Sequence, residues 1–169
     1  MSTLQRWTPR VTAAAVIEVN GRFLMVEEHT SDGLRLNNPC GHLEPGESPV
    51  QAVVREALEE AARVFTPTHL IGVYMSRFQR PTRGEDVTYL RLEFGGTVGE
   101  AIVGRALDSG IVRTLWMTPD ELRASRSRHR TPLVLRAMED HLAGRRFPLE
   151  LLTIDPSLFE PEVLHPQAA

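Results

Sequence analysis

The sequence has no lysine, so all 19 of its basic residues are arginine, and its single cysteine is Cys40. Without lysine a Schiff-base mechanism is excluded, and one cysteine cannot form a disulfide within the chain. Long apolar runs are also missing. None approaches the roughly 20 residues that a membrane-spanning helix needs, and the N-terminal segment has no signal-peptide core. We therefore expect a cytoplasmic protein with no membrane partner.

Charge and composition are those of an ordinary globular protein. The 22 acidic and 19 basic residues give a formal net charge of -3, so we expect no nucleic-acid partner. Hydrophobic residues make up 41% of the chain and charged residues 24%, which argues against disorder. A chain of 169 residues is long enough for one domain with its own core and short for two.

Strand-forming and helix-forming segments alternate along the chain, which predicts an α/β domain with a mixed sheet. Residues 12–19 and 22–28 are β-prone and are joined by Asn20-Gly21, a dipeptide suited to a tight hairpin turn. A loop-rich stretch over 31–46 holds a short strand near 34–36. Further strands, with loops at 77–86 and 99–110 between them, are predicted at 69–76, 87–98 and 111–117. Helices are predicted to begin at Thr118-Pro119 and at Thr131-Pro132, the second ending near Gly144.

A longer helix is predicted from Ser48-Pro49 to about Arg63. Ser48 can cap it, Pro49 suits its first position, and Gln51 can complete a capping box. Its apolar residues, spaced three and four apart, form one face that packs on the core. Three carboxylates share an arc on the opposite side: Glu56, Glu59 and Glu60.

These carboxylates repel one another because like charges lie three and four residues apart. A divalent cation with a preference for oxygen ligands, Mg²⁺ or Mn²⁺, would remove that conflict. Arg55 lies four residues before Glu59 and can hold its carboxylate, and Glu47 stands just before the helix and can turn toward the same place. The alternative for the same pattern is an acidic helix face exposed to solvent.

The stretch 41–63 resembles the Nudix box, which has a glycine, five residues, a glutamate, seven residues, Arg-Glu, two residues and Glu-Glu. The matching positions are Gly41, Glu47, Arg55, Glu56, Glu59 and Glu60. The box usually closes with a glycine and an apolar residue, where this chain has Ala62 and Arg63. Alanine in a left-handed conformation would cost about 1 kcal/mol, so we expect the helix to run on through this point.

The resemblance implies an α/β/α sandwich in which the box forms a loop, a helix and a loop. It also implies that Glu56 and Glu60 coordinate Mg²⁺ or Mn²⁺, that Glu59 is a further ligand or a base, and that the backbone carbonyl of Cys40 completes the metal shell. The implied reaction is hydrolysis of a phosphoanhydride bond by water, assisted by the metal. Its proton acceptor varies within the family, and the candidates here are Glu59, Glu47 and Asp108. Arg55 joins Glu59 and Glu47 in the expected catalytic set.

The resemblance covers residues 8–154, taken as one domain, and leaves 155–169 as an extended tail. The opening strand region, the loop 40–47 and the segments 130–134 and 145–150 are similar to the NudJ-type branch. That branch acts on nucleoside di- and triphosphates and on hydroxymethylpyrimidine and thiamine pyrophosphates. We therefore expect a small phosphorylated substrate and a monomer or homodimer.

Four residues are the expected substrate contacts. Tyr74, Phe78 and Tyr89 offer stacking surfaces for a base, and Arg77 suits phosphate because its guanidinium can make two parallel hydrogen bonds. Arg80, Arg83 and Arg91 are expected to cluster with Arg77 around the loop 77–86. The alternatives left open are hydrolysis of ADP-ribose, a dinucleotide or an oxidised nucleotide, and a Nudix-like sensor that binds nucleotide without turnover.

Overall fold

The computed structural model describes residues 7–161 of the protein. Within them, strands and helices follow one another as β1 (Arg10–Val16), β2 (Glu18–Val19), β3 (Arg22–Thr30), β4 (Gly33–Asn37), β5 (Cys40–His42), α1 (Pro49–Ala61), β6 (Arg63–Arg80), β7 (Glu85–Ala101), β8 (Ile111–Met117), α2 (Pro119–Ala124) and α3 (Leu133–Leu142). In this part of the chain no helix has both the length and the apolar surface needed to cross a membrane.

The strands form two sheets. The first has the order β5-β1-β7-β6, in which β1 and β7 run parallel and the other pairs run antiparallel. In the second sheet β3 lies at the centre and pairs antiparallel with β2, β4 and β8. The predicted α/β fold with a mixed sheet is therefore confirmed.

Apolar side chains cover both faces of the first sheet. On one face α1 packs against Phe65 and Phe94, and on the other α3 packs against Phe23 and Ile71. Strand β1 serves both layers, because successive side chains of a strand point to opposite faces. Ala15 lies in the α1 layer and Val16 in the α3 layer, and both are fully buried.

The opening hairpin is shorter than the prediction. Its turn is as expected, with Asn20 at φ 51° and Gly21 at φ 75°, but only Glu18–Val19 pairs with β3. The residues before Ile17 leave this sheet and pair with β5 and β7. They do so because this run is apolar on both sides, which suits a central strand with helices on both faces rather than half of a solvent-facing hairpin.

The loop predicted over 77–86 is largely strand. Strand β6 continues to Arg80 and β7 begins at Glu85, with a 3-10 helix at Pro81–Arg83 between them. Opposite charges face each other across the two strands, with 2.9 Å between Arg80 and Glu85. Cross-strand pairing of this kind supports a polar segment as strand, and the sequence of one strand alone does not show it.

Helix α1 begins at the predicted residue and ends before the predicted one. Ser48 forms the capping box with Gln51, and Pro49 is the first helical residue. The expectation that the helix runs on to about Arg63 is wrong, since Ala62 adopts the left-handed conformation at φ 52° and ψ 37° and ends it. Burial of the Ala62 methyl group stabilises by about 0.8 kcal/mol, which offsets most of the roughly 1 kcal/mol that this backbone costs.

The two C-terminal helices follow the predicted starts. Thr118 forms a capping box with Glu121 at the start of α2, and α3 follows Thr131-Pro132 and ends before Gly144, which has φ 77°. Of the predicted tail, residues 155–161 are described and contain a 3-10 helix at Pro156–Leu158. Residues 162–169 lie outside the described part of the chain.

Candidate active site

A cavity of about 1000 Å³ opens between the two sheets, beside α1 and the segment that precedes α3. One end carries four carboxylates: Glu28, Glu56, Glu60 and Asp108. Aromatic side chains and most of the cavity's arginines lie elsewhere along its walls. The cavity thus joins an acidic end to walls suited to a planar group and to phosphates.

Gly41, on β5, lies directly against Glu56. A Cβ atom at position 41 would lie 1.9 Å from Glu56 Oε1, so no residue with a side chain fits there without moving the carboxylate. The φ angle of Gly41 is not positive, and the requirement for glycine is therefore one of space. Gly41 allows β5 to pass close to α1 and keeps Glu56 at the cavity.

Arg55 is the centre of an ion-pair network on the loop side of α1. Its guanidinium donates to both oxygens of Glu47 at 2.8 and 2.9 Å, to Glu56 at 2.6 Å and to Glu59 at 3.0 Å. It also donates to the carbonyl oxygen of His42 at 3.0 Å. These bonds hold the pKa of Glu47 below its usual range. The predicted pairing of Arg55 with Glu59 is thus present, and it extends to the loop before the helix.

Glu60 is partly buried at the acidic end of the cavity. Its pKa is raised to about 8, mainly by burial and also by the charges of Glu56, Glu28 and Asp108, while one hydrogen bond from a backbone amide acts in the opposite direction. Burial likewise raises the pKa of Glu56, although Arg55 opposes it. Negative charge at this end of the cavity is therefore poorly compensated.

Cys40 contacts this cluster through its main chain. Its backbone N–H donates to Glu60 Oε2 at 2.8 Å, so the contact that the structure shows is made by the amide group, whereas the resemblance implied the carbonyl. Burial raises the pKa of the Cys40 thiol to about 12. The thiol is thus protonated at neutral pH and is not a nucleophile.

The candidate proton acceptors occupy different places. Asp108 lines the cavity, and its backbone N–H donates to the carbonyl oxygen of Glu59 at 2.8 Å. The side chains of Glu59 and Glu47 are held by Arg55 and are not among the residues that line the cavity. In this arrangement Asp108 is the one of the three that lines the cavity.

Two of the predicted aromatic contacts form one wall. Phe78 and Tyr89 are stacked, with ring centroids 5.6 Å apart at an interplanar angle of 23°. The ring centroids of His42 and Tyr89 are 5.9 Å apart, and the guanidinium carbon of Arg80 lies 4.8 Å from the centre of the Phe78 ring. Tyr74 does not line the cavity in this structure, and its hydroxyl donates to Asp140 of α3 at 2.9 Å.

The arginines of the cavity differ in whether a carboxylate holds them. Arg77 donates two hydrogen bonds to the carboxylate of Asp86, at 2.7 and 2.5 Å. To bind a phosphate, its guanidinium would have to share or give up these bonds. Among the described residues, Arg10 and Arg35 line the cavity with no carboxylate within ion-pair distance. Sequence reasoning missed both, because they carry no motif.

Three further residues were missed or misplaced. Glu28 and Arg130 form an ion pair at the cavity, and their only signal was a glutamate at the end of an apolar strand. Arg91, expected around the loop 77–86, lies in the middle of β7 with its guanidinium 2.7 Å from Glu93, and both side chains are buried. The sequence signal for this pair was two charges, two residues apart, in an apolar strand.

The acidic end fits a divalent cation by the chemistry of its donors. Carboxylate oxygens are the ligands that Mg²⁺ and Mn²⁺ prefer, and the charges of Glu56, Glu28 and Asp108 all act on Glu60 at this end of the cavity. Over residues 7–161, no three acidic, histidine or cysteine side chains converge on one point as they stand. In this arrangement Arg55 pairs with Glu56, and Arg130 pairs with Glu28.

Comparison with known proteins gives consistent matches. The family model described as the NUDIX domain matches residues 7–137. A protein of Escherichia coli strain K12 named Phosphatase NudJ is 32% identical over 144 residues, which cover 85% of this chain and 90% of that protein. A NUDIX hydrolase structure from Nitrosomonas europaea is 46% identical with a TM-score of 0.80, covering 88% of this chain and 98% of its own. A MutT NUDIX hydrolase structure from Burkholderia pseudomallei, 20% identical with a TM-score of 0.63, covers 79% of this chain and 98% of its own and shares the fold.

Proposed function

This chain belongs to the Nudix family and is a hydrolase, and we propose that it cleaves a phosphoanhydride bond of a nucleoside di- or triphosphate, or of hydroxymethylpyrimidine or thiamine pyrophosphate. Hydrolases of this family generally use a divalent metal ion and act on small phosphorylated substrates. The observation that carries the proposal is one cavity that combines buried glutamates, unpaired arginines and a stacked aromatic pair.

The metal in this proposal is Mg²⁺, with Mn²⁺ as a substitute. Glu56 and Glu60 would hold it, together with Glu59 and the main chain at Cys40. When bound, the ion supplies positive charge that neutralises the phosphate oxygens and makes water more acidic. The uncompensated charge around Glu60 supports this placement.

The protein's own side chains bind and orient the substrate. Arg10 and Arg35 are available to pair with phosphate oxygens, because neither is held by a carboxylate in the described residues. Phe78 and Tyr89 offer a flat surface on which a pyrimidine or purine can stack. A cavity of about 1000 Å³ is large enough for a nucleoside triphosphate.

The proton of the attacking water goes to a carboxylate, for which Glu59, Glu47 and Asp108 remain the candidates. Asp108 is the one that lines the cavity. Comparing the pH dependence of kcat for Asp108→Asn, Glu59→Gln and Glu47→Gln identifies the acceptor. Loss of the acidic limb of the profile marks it, because that limb reports protonation of the base.

The proposal is tested with the purified protein and a panel of nucleotides and thiamine-pathway pyrophosphates, with Mg²⁺ and with EDTA. We expect metal-dependent hydrolysis, abolished by Glu60→Gln and unchanged by Glu100→Gln, which alters a fully exposed carboxylate outside the cavity. Orthophosphate, pyrophosphate or two monophosphates as products distinguish the bond that is cut. No metal-dependent release with any substrate would overturn the proposal.

The panel also separates the alternatives. Turnover confined to ADP-ribose, dinucleotides or oxidised nucleotides would keep the reaction class and change the substrate. Nucleotide binding that persists in EDTA, without turnover, would favour a sensor. The intact glutamates at positions 56, 59 and 60 favour the enzyme.

A further inference from the structure

Two consecutive glutamates at the end of β3 have different surroundings. Glu27 is 3% exposed and is held by both Arg113, at 2.7 Å, and Arg128. Glu28 is 8% exposed and lines the cavity, with one oxygen paired to Arg130. Its other oxygen, Oε1, is buried and has no hydrogen-bond partner among the described residues. Glu28 thus has an unused acceptor at the cavity, whereas Glu27 carries two cations.

Glu28 faces the acidic end of the cavity. It lines the same cavity as Glu56, Glu60 and Asp108. Three arginines pair with carboxylates here. Arg55 is shared among three glutamates of the loop and α1, Arg130 pairs with Glu28, and Arg91 pairs with Glu93. Negative charge therefore exceeds positive charge at this end, and a buried carboxylate oxygen without a partner is costly unless a ligand satisfies it.

Arg130 can leave Glu28 without disturbing its own backbone. Its N–H donates to the carbonyl oxygen of Leu36 at 2.9 Å, and the adjacent His129 forms a β-bridge with Leu36. The main chain of this segment is therefore attached to β4 independently of the guanidinium, and the side chain is 46% exposed. Movement of the arginine into the cavity requires rotations of the side chain only.

We propose that Glu28 belongs to the metal-binding end of the cavity and that a divalent cation competes with Arg130 for its carboxylate. The cation displaces the guanidinium, and Arg130, on the cavity wall, then turns toward the anionic substrate. This inference rests on the proposed function, because it needs a metal site at Glu60. It adds to the proposed metal site a carboxylate from outside α1, that of Glu28. It also adds Arg130, whose guanidinium pairs with Glu28 without metal and with the substrate when metal is bound.

The test measures Mn²⁺ binding to the full chain without nucleotide, by electron paramagnetic resonance and calorimetry. Glu28→Gln should weaken Mn²⁺ binding by roughly 10- to 100-fold, because it removes a charged donor from the site. Arg130→Gln should tighten it several-fold, because the competing cation is gone. In Glu28→Gln/Arg130→Gln the tightening should vanish, since the arginine acts only through Glu28.

The neighbouring pair supplies matched controls. Glu27→Gln and Arg128→Gln make the same chemical changes one or two residues away, and both should leave Mn²⁺ affinity unchanged even where they lower the melting temperature. Unchanged affinity in Arg130→Gln would overturn the inference, and so would equal losses in Glu27→Gln and Glu28→Gln. Should Glu28→Gln fail to fold by circular dichroism, Arg130→Gln still decides, because its side chain is half-exposed.

Glu60→Gln separates this inference from the function on which it rests. If Glu60→Gln weakens Mn²⁺ binding while Glu28→Gln and Arg130→Gln do not change it, the exchange is wrong and the proposed metal site stands. If Glu60→Gln has no effect on Mn²⁺ binding, both are overturned.

Discussion

The backbone N–H of Cys40 donates a 2.8 Å hydrogen bond to Oε2 of Glu60, which ties the last glutamate of α1 to strand β5. A hydrogen bond of this kind favours the ionised carboxylate. Burial nevertheless prevails and raises the pKa of Glu60 to about 8. In the metal-free protein this carboxyl group is therefore largely protonated at neutral pH.

We expect Glu60 to make the metal-free protein less stable as pH rises toward 8. Between the ordinary glutamate pKa of 4.5 and about 8, the folded state holds a proton that the unfolded state has released, so the free energy of unfolding falls as pH rises. Buried histidines with lowered pKa values have the opposite effect on stability below the ordinary histidine pKa of 6.5, so the range from pH 6.5 to 8 is the decisive one. Urea denaturation in EDTA at several pH values measures how steeply the free energy of unfolding changes with pH. Glu60→Gln should flatten this dependence, and equal slopes in the two proteins would contradict the prediction.

Gly41→Ala should displace the Glu56 carboxylate, because the new Cβ would lie 1.9 Å from Glu56 Oε1. A displacement of about 1 Å at a reacting group can cost roughly 100-fold in rate, so we expect a loss of kcat of that order. Gly99→Ala is the control, since a Cβ there meets only the carbonyl oxygen of Val64 at 3.8 Å. Full activity in Gly41→Ala would show that turnover does not depend on the position of the Glu56 carboxylate.

Arg55→Lys should lower both stability and turnover. A lysine ammonium cannot bond Glu47, Glu56 and Glu59 together as the guanidinium does, and hydrogen bonds to charged groups contribute about 1.5–3 kcal/mol each. Thermal unfolding and kcat are the measurements. Arg123→Lys, at an exposed ion pair with Glu139, should change neither. Equal losses of stability and turnover in Arg55→Lys and Arg123→Lys would show that the guanidinium of Arg55 is not needed to hold the three glutamates together.

Tyr89→Ala should raise KM for nucleotides about tenfold or more, because stacking on an aromatic ring contributes roughly 1–3 kcal/mol per base. Tyr89→Phe keeps the ring and should retain most of the affinity. Tripolyphosphate, which has no base, should be hydrolysed equally by both variants. Tyr74→Phe provides the comparison, since it removes the bond to Asp140 and should lower the melting temperature with KM unchanged. An equal rise in KM for tripolyphosphate would rule out stacking as the cause.

Much of α1 was predictable because its signals are local. The capping box of Ser48 and Gln51, Pro49 at the first position and the apolar face follow from spacing within one helix, and each is present. The end of the helix was not predictable, because whether Ala62 adopts φ 52° depends on what its methyl group packs against. Packing against residues distant in sequence outweighed the local preference.

The sequence by itself determined that a cluster of glutamates lies on one side of an amphipathic helix, because helical periodicity acts over a few residues. The tertiary structure alone decided which carboxylates meet at the cavity. Glu28 and Arg130 are 102 residues apart and come together only where the segment before α3 packs on β4. It likewise placed Tyr74 beneath α3 and Asp108 at the cavity, because the packing of the sheets and helices, and not the residue type, determines what each side chain contacts.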